Sequence, residues 1–133
     1  MAVFDAAWME SWKTLVNQDA VIKIIGKHLT ATVLFAFGDT TYVVSYVGGR
    51  ITRIDDQLGP ESTYAFALRG PAQTWEKFVQ PIPPPMYNDI WAMAHPLHGR
   101  LQIEGDVKVM WQNLRAFTWT LDFMRKVNES GGI

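Results

Sequence analysis

Two histidines three positions apart, His95 and His98, are the first side chains in this 133-residue sequence that suit metal binding. Asp89 precedes them and adds a carboxylate. Pro96 ends any helix between the two imidazoles, and a protein zinc site needs at least three ligands held in one geometry. We therefore predict no metal site, and we place both histidines in a loop before the last strand, bonded to backbone groups.

Acid–base and nucleophilic chemistry has equally few candidates. Asp39 and Asp106 each follow a glycine, where Asp39 is typical of a turn and Asp106 of a helix N-cap. No serine lies in a nucleophile elbow, and no glycine-rich phosphate loop is present. An enzyme acting on a hydrophobic substrate would have to use Asp39, His95 or His98. We predict no catalytic residue, no enzymatic activity and no cofactor.

Three arginines, Arg50, Arg53 and Arg69, lie on neighbouring predicted strands. Guanidinium groups so placed can clamp a carboxylate or a coenzyme A phosphate at the mouth of a binding site. The alternative is that they pair with nearby carboxylates of the chain. Those carboxylates are Asp55, Asp56 and Glu61.

Charge and composition exclude several classes of protein. The formal net charge is −1, which gives no attraction for nucleic acid or an anionic membrane, and the absence of cysteine excludes disulfides and thiolate sites. Apolar runs are far shorter than the ~20 residues of a membrane span. Asp5 and Glu10 lie where a signal peptide would be basic and then apolar. We expect a cytoplasmic protein with no transmembrane segment and no nucleic-acid partner.

Bulky apolar side chains are in surplus. The sequence holds six Trp, seven Phe, four Tyr and six Met, whereas charged residues are only 19% against a typical ~25%. A small core does not need this volume, so the surplus indicates a cavity or an interface.

The elements that must position these residues follow from periodicity and turn signals. Gly48-Gly49 predicts a two-residue hairpin, and we expect the first four strands to pair in sequence as an antiparallel meander. The order predicts one α+β domain with helices on one face of the sheet. Helices are predicted at 5–17, at 20–25 after a cap at Asp19, at 71–79, at 90–94 after Asn88 or Asp89, and from Asp106 to about Val127; strands at 29–37, 40–47, 50–54, 63–69 and 99–105; an extended tether at 80–86; and a frayed tail at 128–133.

The last helix is the clearest element. Its apolar sector is about 100° wide, and its polar sector contains one tryptophan, Trp119, which is either a partly shielded surface residue or an interface anchor. The apolar sector contains Val107, Met110, Leu114, Phe117, Leu121 and Met124; the polar one contains Lys108, Gln112, Arg115, Asp122 and Lys126.

The order and spacing of several motifs resemble the sterol carrier protein family. The run FAFGDTTYVVSYVGGRI, a Trp-bearing helix and LQIEGD before the final helix carry the likeness over about residues 4–127. It implies a five-stranded, mainly antiparallel sheet covered by helices, with an apolar tunnel for fatty acyl chains, acyl-CoA, sterols or similar lipids. The ending Gly-Gly-Ile is not a peroxisomal address and favours a small free-standing bacterial-type member. The matching positions are Phe37, Gly38, Asp39, Tyr42, Val44, Gly99, Leu101, Ile103, Gly105 and Asp106.

We predict a cytosolic carrier that holds a hydrophobic small molecule and performs no chemistry. The alternative is an accessory or oligomerisation subunit of a larger enzyme, as a homodimer or bound to an enzyme partner. Each predicted lining residue can also be ordinary core, and Met86, Met93, Met110 and Met124 can either adapt to a ligand or fill gaps. The predicted lining is Trp75, Phe78, Trp91, Met93, Met110, Leu114, Phe117, Leu121 and Met124.

Overall fold

The computed structural model describes residues 3–56, 63–80, 82–85, 87, 90–94 and 100–131 of the chain. In the described part of the chain, helices and strands follow one another in the order that the sequence predicts, except that two helices stand where one final helix was predicted. The helices are α1 (Ala6–Gln18), α2 (Ala20–Ile25), α3 (Ala72–Phe78), α4 (Ile90–Met93), α5 (Val107–Gln112) and α6 (Leu114–Gly131); the strands are β1 (Ala31–Phe37), β2 (Thr40–Val47), β3 (Arg50–Asp55), β4 (Phe66–Gly70) and β5 (Gln102–Gly105).

Two aspartates cap the N-terminal helices, Asp19 as predicted and Asp5 without having been predicted as a cap. The Asp5 carboxylate accepts from the Trp8 backbone N–H at 2.8 Å, and the Asp19 carboxylate accepts from the Ile22 N–H at 2.9 Å. These bonds satisfy helix N–H groups that have no partner within the helix. The apolar side of α1 is buried through Trp8, Trp12 and Val16, whereas Lys13 faces solvent in part.

The five strands form one mixed sheet in the order β3-β2-β1-β4-β5. The pairings β1–β2, β2–β3 and β4–β5 are antiparallel, but β4 lies parallel to β1, with Val33 opposite Phe66. The predicted continuous meander is therefore wrong at its last step, because β4 pairs with β1 and not with β3. The strand β1 is buried along most of its length and occupies the centre, whereas the more exposed β3 lies at an edge.

The hairpin between β2 and β3 is confirmed at Gly48 and Gly49. Their φ angles are +59° and +85°, the left-handed values that a two-residue turn of this kind requires. Gly49 also packs against the backbone of Gly26, at the end of α2, so closely that a Cβ atom would lie 2.9 Å from the Gly26 carbonyl oxygen. The hairpin tip and α2 are thereby packed backbone to backbone.

The helices cover one face of the sheet, as predicted. The rings of Trp12 from α1, Trp75 from α3 and Phe117 from α6 all contact Phe35 of β1. On the opposite face, the buried apolar cluster among the described residues has four members, Leu34, Ala36, Val43 and Ala67.

The predicted last helix is broken into α5 and α6 at Asn113. The Asn113 side chain donates to the Val109 carbonyl at 3.1 Å, and this local bond competes with the helical pattern. The helical run ends at Gly131 and not near Val127. Asp106 holds the N-cap position of α5 but makes no side-chain cap; its backbone N–H donates to the Ala65 carbonyl at 2.7 Å.

Other boundaries differ by a few residues. The strands β1, β4 and β5 begin at Ala31, Phe66 and Gln102, later than the patterns predict. Residues 82–85 of the predicted tether contain no helix or strand, and positions 81, 86, 88 and 89 lie outside the described residues. No helix in the described part of the chain is long and apolar enough to span a membrane.

Candidate hydrophobic binding site

The space between the helices and the sheet is filled by aromatic side chains around Phe35. The centroid of its ring lies 5.8 Å from those of Trp12 and Phe37, and 6.1 Å from those of Trp75 and Phe117. These rings come from three helices and the central strand. Offset and edge-to-face contacts of this kind add stability beyond the area that they bury.

Four polar side chains inside this space, those of Trp12, Tyr46, Trp75 and Thr120, make hydrogen bonds. The indole N–H of Trp12 donates to the Thr120 carbonyl at 2.8 Å, and that of Trp75 donates to the Ala36 carbonyl at 2.9 Å. The Thr120 hydroxyl donates to the Phe117 carbonyl at 2.7 Å, which leaves it to accept from the Tyr46 hydroxyl at 3.1 Å. Burial raises the pKa of Tyr46 above its usual value, so the interior favours neutral groups.

The structure brings most of the predicted lining into this one interior. Seven of the nine side chains are buried in the same hydrophobic cluster, and Leu114 is half-buried. The Trp91 side chain lies outside the part that the structure describes, as does Met86. That these residues line a tunnel stays a prediction. The seven are Trp75, Phe78, Met93, Met110, Phe117, Leu121 and Met124.

The predicted arginine pairing is confirmed for Arg53, whereas the carboxylate found beside Arg69 is one that was not predicted. The guanidinium of Arg53 lies 3.1 Å from the Asp55 carboxylate. That of Arg69 lies 3.1 Å from the Glu104 carboxylate instead, because β5 is the neighbour of β4 and brings Glu104 alongside. The sequence pattern missed this pair because it missed the strand order. Glu61 lies outside the described residues.

The histidine hypothesis falls on residues that the structure does not describe, since Asp89, His95 and His98 lie outside the described ranges. Within those ranges, no group of three or more His, Asp or Glu residues could hold a metal ion.

Trp119 is half-buried at the junction of α6 and α2. Its indole N–H donates to the Asp19 carboxylate at 2.8 Å, so Asp19 serves both as a helix cap and as a link between helices. Trp119 also lines a cavity of about 180 Å³ with Asp122, Phe123 and Lys126. No local signal could have found the bond to Asp19, which lies far away in the sequence.

A second cavity, of about 480 Å³, lies where β1 and β4 end. It is lined by four polar residues, Asp39, Arg69, Arg100 and Gln102, together with Ala36, Gly38, Gly70 and Pro71. The sequence indicates Asp39 and Arg69 separately and carries no signal for Arg100 or Gln102. Three separate segments supply the lining, so no single motif marks it.

The comparisons with known proteins bear on the fold. No protein-family model matches the chain, and no curated protein does. A solution structure from Thermus thermophilus, of a conserved hypothetical protein with a suggested sterol-carrier identity, is similar at a TM-score of 0.72 and 15% identity, over 96% of this chain and 90% of that one. A crystal structure of sterol carrier protein 2 is similar at a TM-score of 0.71 and 13% identity, over 93% of this chain and 98% of that one.

A third similar structure is UbiJ-SCP2, a ubiquinone synthesis protein, with a TM-score of 0.60, 15% identity, and coverage of 89% of this chain and 88% of that one. The likeness in all three extends over most of both chains and includes the sheet and its helical cover. At sequence identities of 13–15%, this likeness establishes the fold. The chain has the α+β fold of the sterol carrier proteins.

Proposed function

We propose that this protein binds and carries a hydrophobic small molecule, such as a fatty acyl chain, an acyl-CoA or a sterol, in the interior between its helices and its sheet. The observation that carries this proposal is the sterol-carrier fold, which extends over nearly the whole chain. Carrying makes and breaks no bonds, so the role needs no catalytic residue and no cofactor. We place the carrier in the cytoplasm.

The character of the interior supports this role. Its walls are aromatic rings and aliphatic side chains, with Met93, Met110 and Met124 among them. Methionine is flexible and polarisable, and it adapts to irregular shapes better than branched side chains do. An apolar ligand that replaces contacts between such residues does not have to displace fixed charges.

The expected affinity is modest. A ligand that buries about 300 Å² of apolar surface at ~25 cal/mol/Å² gains roughly 7 kcal/mol. Association costs several kcal/mol of translational, rotational and side-chain freedom, which leaves a dissociation constant near micromolar or weaker. Affinity in that range suits a protein that must release what it carries.

Native mass spectrometry of freshly purified protein, followed by denaturing extraction, tests the proposal. We expect a monomer that releases a discrete hydrophobic molecule. An empty protein that also fails to bind added fatty acid would contradict the carrier role.

Two variants locate the binding site. Leu121→Phe adds volume to the interior, and Ile24→Phe adds similar volume at a position that is 73% exposed. We expect Leu121→Phe to weaken the affinity for a fluorescent fatty acid at least about fivefold. Added volume in a packed interior removes space for the ligand and introduces strain. Ile24→Phe should leave it unchanged. Equal affinities in two folded variants would place the ligand elsewhere.

The second candidate is an accessory subunit of an enzyme. It is favoured by the likeness to a ubiquinone synthesis protein and by Trp111 of α5, which is 57% exposed. Exposed tryptophan is enriched at protein interfaces. A fixed oligomer or stable complex that Trp111→Ala weakens, without loss of folding, would favour this role over the carrier.

A further inference from the structure

The cavity of about 480 Å³ at the ends of β1 and β4 differs in chemistry from the hydrophobic interior. Arg69 and Gln102 are opposite one another in the β4–β5 pair, and Ala36 is opposite Arg69 in the β1–β4 pair. All three belong to the face of the sheet that bears Leu34 and Ala67, since they alternate with those residues or pair with ones that do. The cavity is therefore on the open face and not among the helices.

The first of its two guanidinium groups is held in a fixed orientation. The Nε of Arg69 donates to the Glu104 carboxylate at 3.1 Å, and its Nη2 donates to the Tyr64 hydroxyl at 3.2 Å. Nη1 of Arg69 makes no hydrogen bond to the described residues. An arginine braced in this way loses little further freedom when it binds a ligand.

The second guanidinium has an unmet need for an acceptor. The Arg100 guanidinium lies over the Tyr87 ring, 5.2 Å from its centroid, and Lys77 lies 4.9 Å from the same centroid. Arg100 Nη1 is buried and has no hydrogen-bond acceptor among the described residues. A buried cationic N–H group without an acceptor is costly, so it favours a bound oxygen.

We propose that this cavity binds a small soluble organic anion, one that carries a carboxylate or phosphate group for Arg69 and Arg100 and a hydroxyl group for Asp39 or Gln102. Guanidinium groups match the oxygens of both anions through paired N–H bonds. Asp39 and Glu104 balance the two positive charges, so recognition depends on directed N–H groups and not on net charge.

Titration with citrate and with glycerol 3-phosphate, followed by NMR, tests this site. We expect saturable shifts of the Gly38 and Gly70 amide signals and of the arginine Nε signals for at least one of the two anions. Arg100→Gln should weaken binding about tenfold or more, and Arg100→Lys should recover only part of the loss, because lysine keeps the charge but not the paired donors.

Arg53→Gln is the matched control, because Arg53 is 73% exposed and paired with Asp55 outside the cavity. It should leave the affinity unchanged. If Arg100→Gln does not fold, Gln102→Ala replaces an exposed lining residue and should weaken binding severalfold. Shifts that do not saturate, or equal losses in Arg53→Gln and the cavity variants, would overturn the proposal. Fatty-acid binding should be unaffected by Arg100→Gln, so failure of this site is distinguishable from failure of the carrier role.

Discussion

The two faces of the central strand β1 are formed by alternate residues of one segment, but their surroundings differ. Val33, Phe35 and Phe37 face the helices and belong to the large core, whereas Leu34 and Ala36 belong to the small cluster on the open face. Alternation assigns residues to two faces but does not say which face is covered. Side-chain volume indicates the covered face, because the aromatic rings of β1 lie on the covered side.

On the open face, charged residues at the two edges of the sheet flank the few apolar residues at its centre. One row of paired residues crosses all five strands, and it is apolar in the middle with a carboxylate at each end. Arg53 and Arg69 pair with those carboxylates. Charges at the edges also discourage pairing with a second sheet. The row is Asp55, Val43, Leu34, Ala67 and Glu104.

The sharpest test of this contrast compares Phe35→Ala with Leu34→Ala, neighbours on opposite faces. Phe35→Ala should destabilise the protein by about 3–5 kcal/mol, because it leaves a cavity at the centre of the aromatic cluster. Leu34→Ala should cost about 2 kcal/mol, since fewer neighbours surround it. Urea unfolding measures both. A larger cost for Leu34→Ala would reverse the ranking of the two faces.

A second pair of variants tests the backbone contact between the β2–β3 hairpin and the end of α2. Gly49→Ala should cost about 2–3 kcal/mol, because it combines a left-handed backbone with a Cβ atom forced against the Gly26 carbonyl. Gly48→Ala shares the left-handed backbone but meets no atom closer than 3.8 Å, and should cost about 1 kcal/mol. Thermal unfolding of both variants isolates the close approach. Equal costs would show that only backbone conformation matters.

A third and smaller effect depends on pH. Burial raises the pKa of Tyr46, so the folded protein keeps the phenol proton where the unfolded chain loses it. The stability that this supplies is complete below the ordinary tyrosine pKa of about 10 and is lost as pH rises above it. Tyr46→Phe should cost about 1 kcal/mol at neutral pH through the lost bond to Thr120, and should flatten the fall in alkali.

Urea unfolding at a series of pH values checks this expectation. If the curve for Tyr46→Phe runs parallel to that of the unmodified protein, the phenol does not contribute to the alkaline loss.

Local features of the fold were predictable from the sequence. The hairpin follows from Gly48-Gly49, and the start of α2 follows from the Asp19 cap, because turns and caps depend on residues only a few positions apart. The break at Asn113 was missed, since the apolar spacing continues through it and only the asparagine side chain bond marks the interruption.

Long-range features were not predictable in the same way. An apolar strand pattern does not record its partner, so the β1–β4 pair and the Arg69–Glu104 bridge that depends on the strand order were both missed. Burial of the aromatic lining could be predicted from helical spacing. The open-face cavity could not, because Asp39, Arg69 and Arg100 come together only once the sheet is complete.

The parallel pair has a consequence for the order in which the chain folds. The strands β1, β2 and β3 are consecutive and can associate through short turns, but β1 gains its second neighbour only when Phe66–Gly70 arrives from far along the chain. Closing so long a loop costs entropy before its contacts repay it, and such contacts slow folding. During synthesis, the central strand therefore keeps one unpaired side until β4 has emerged, and this edge is the one most exposed to wrong pairing.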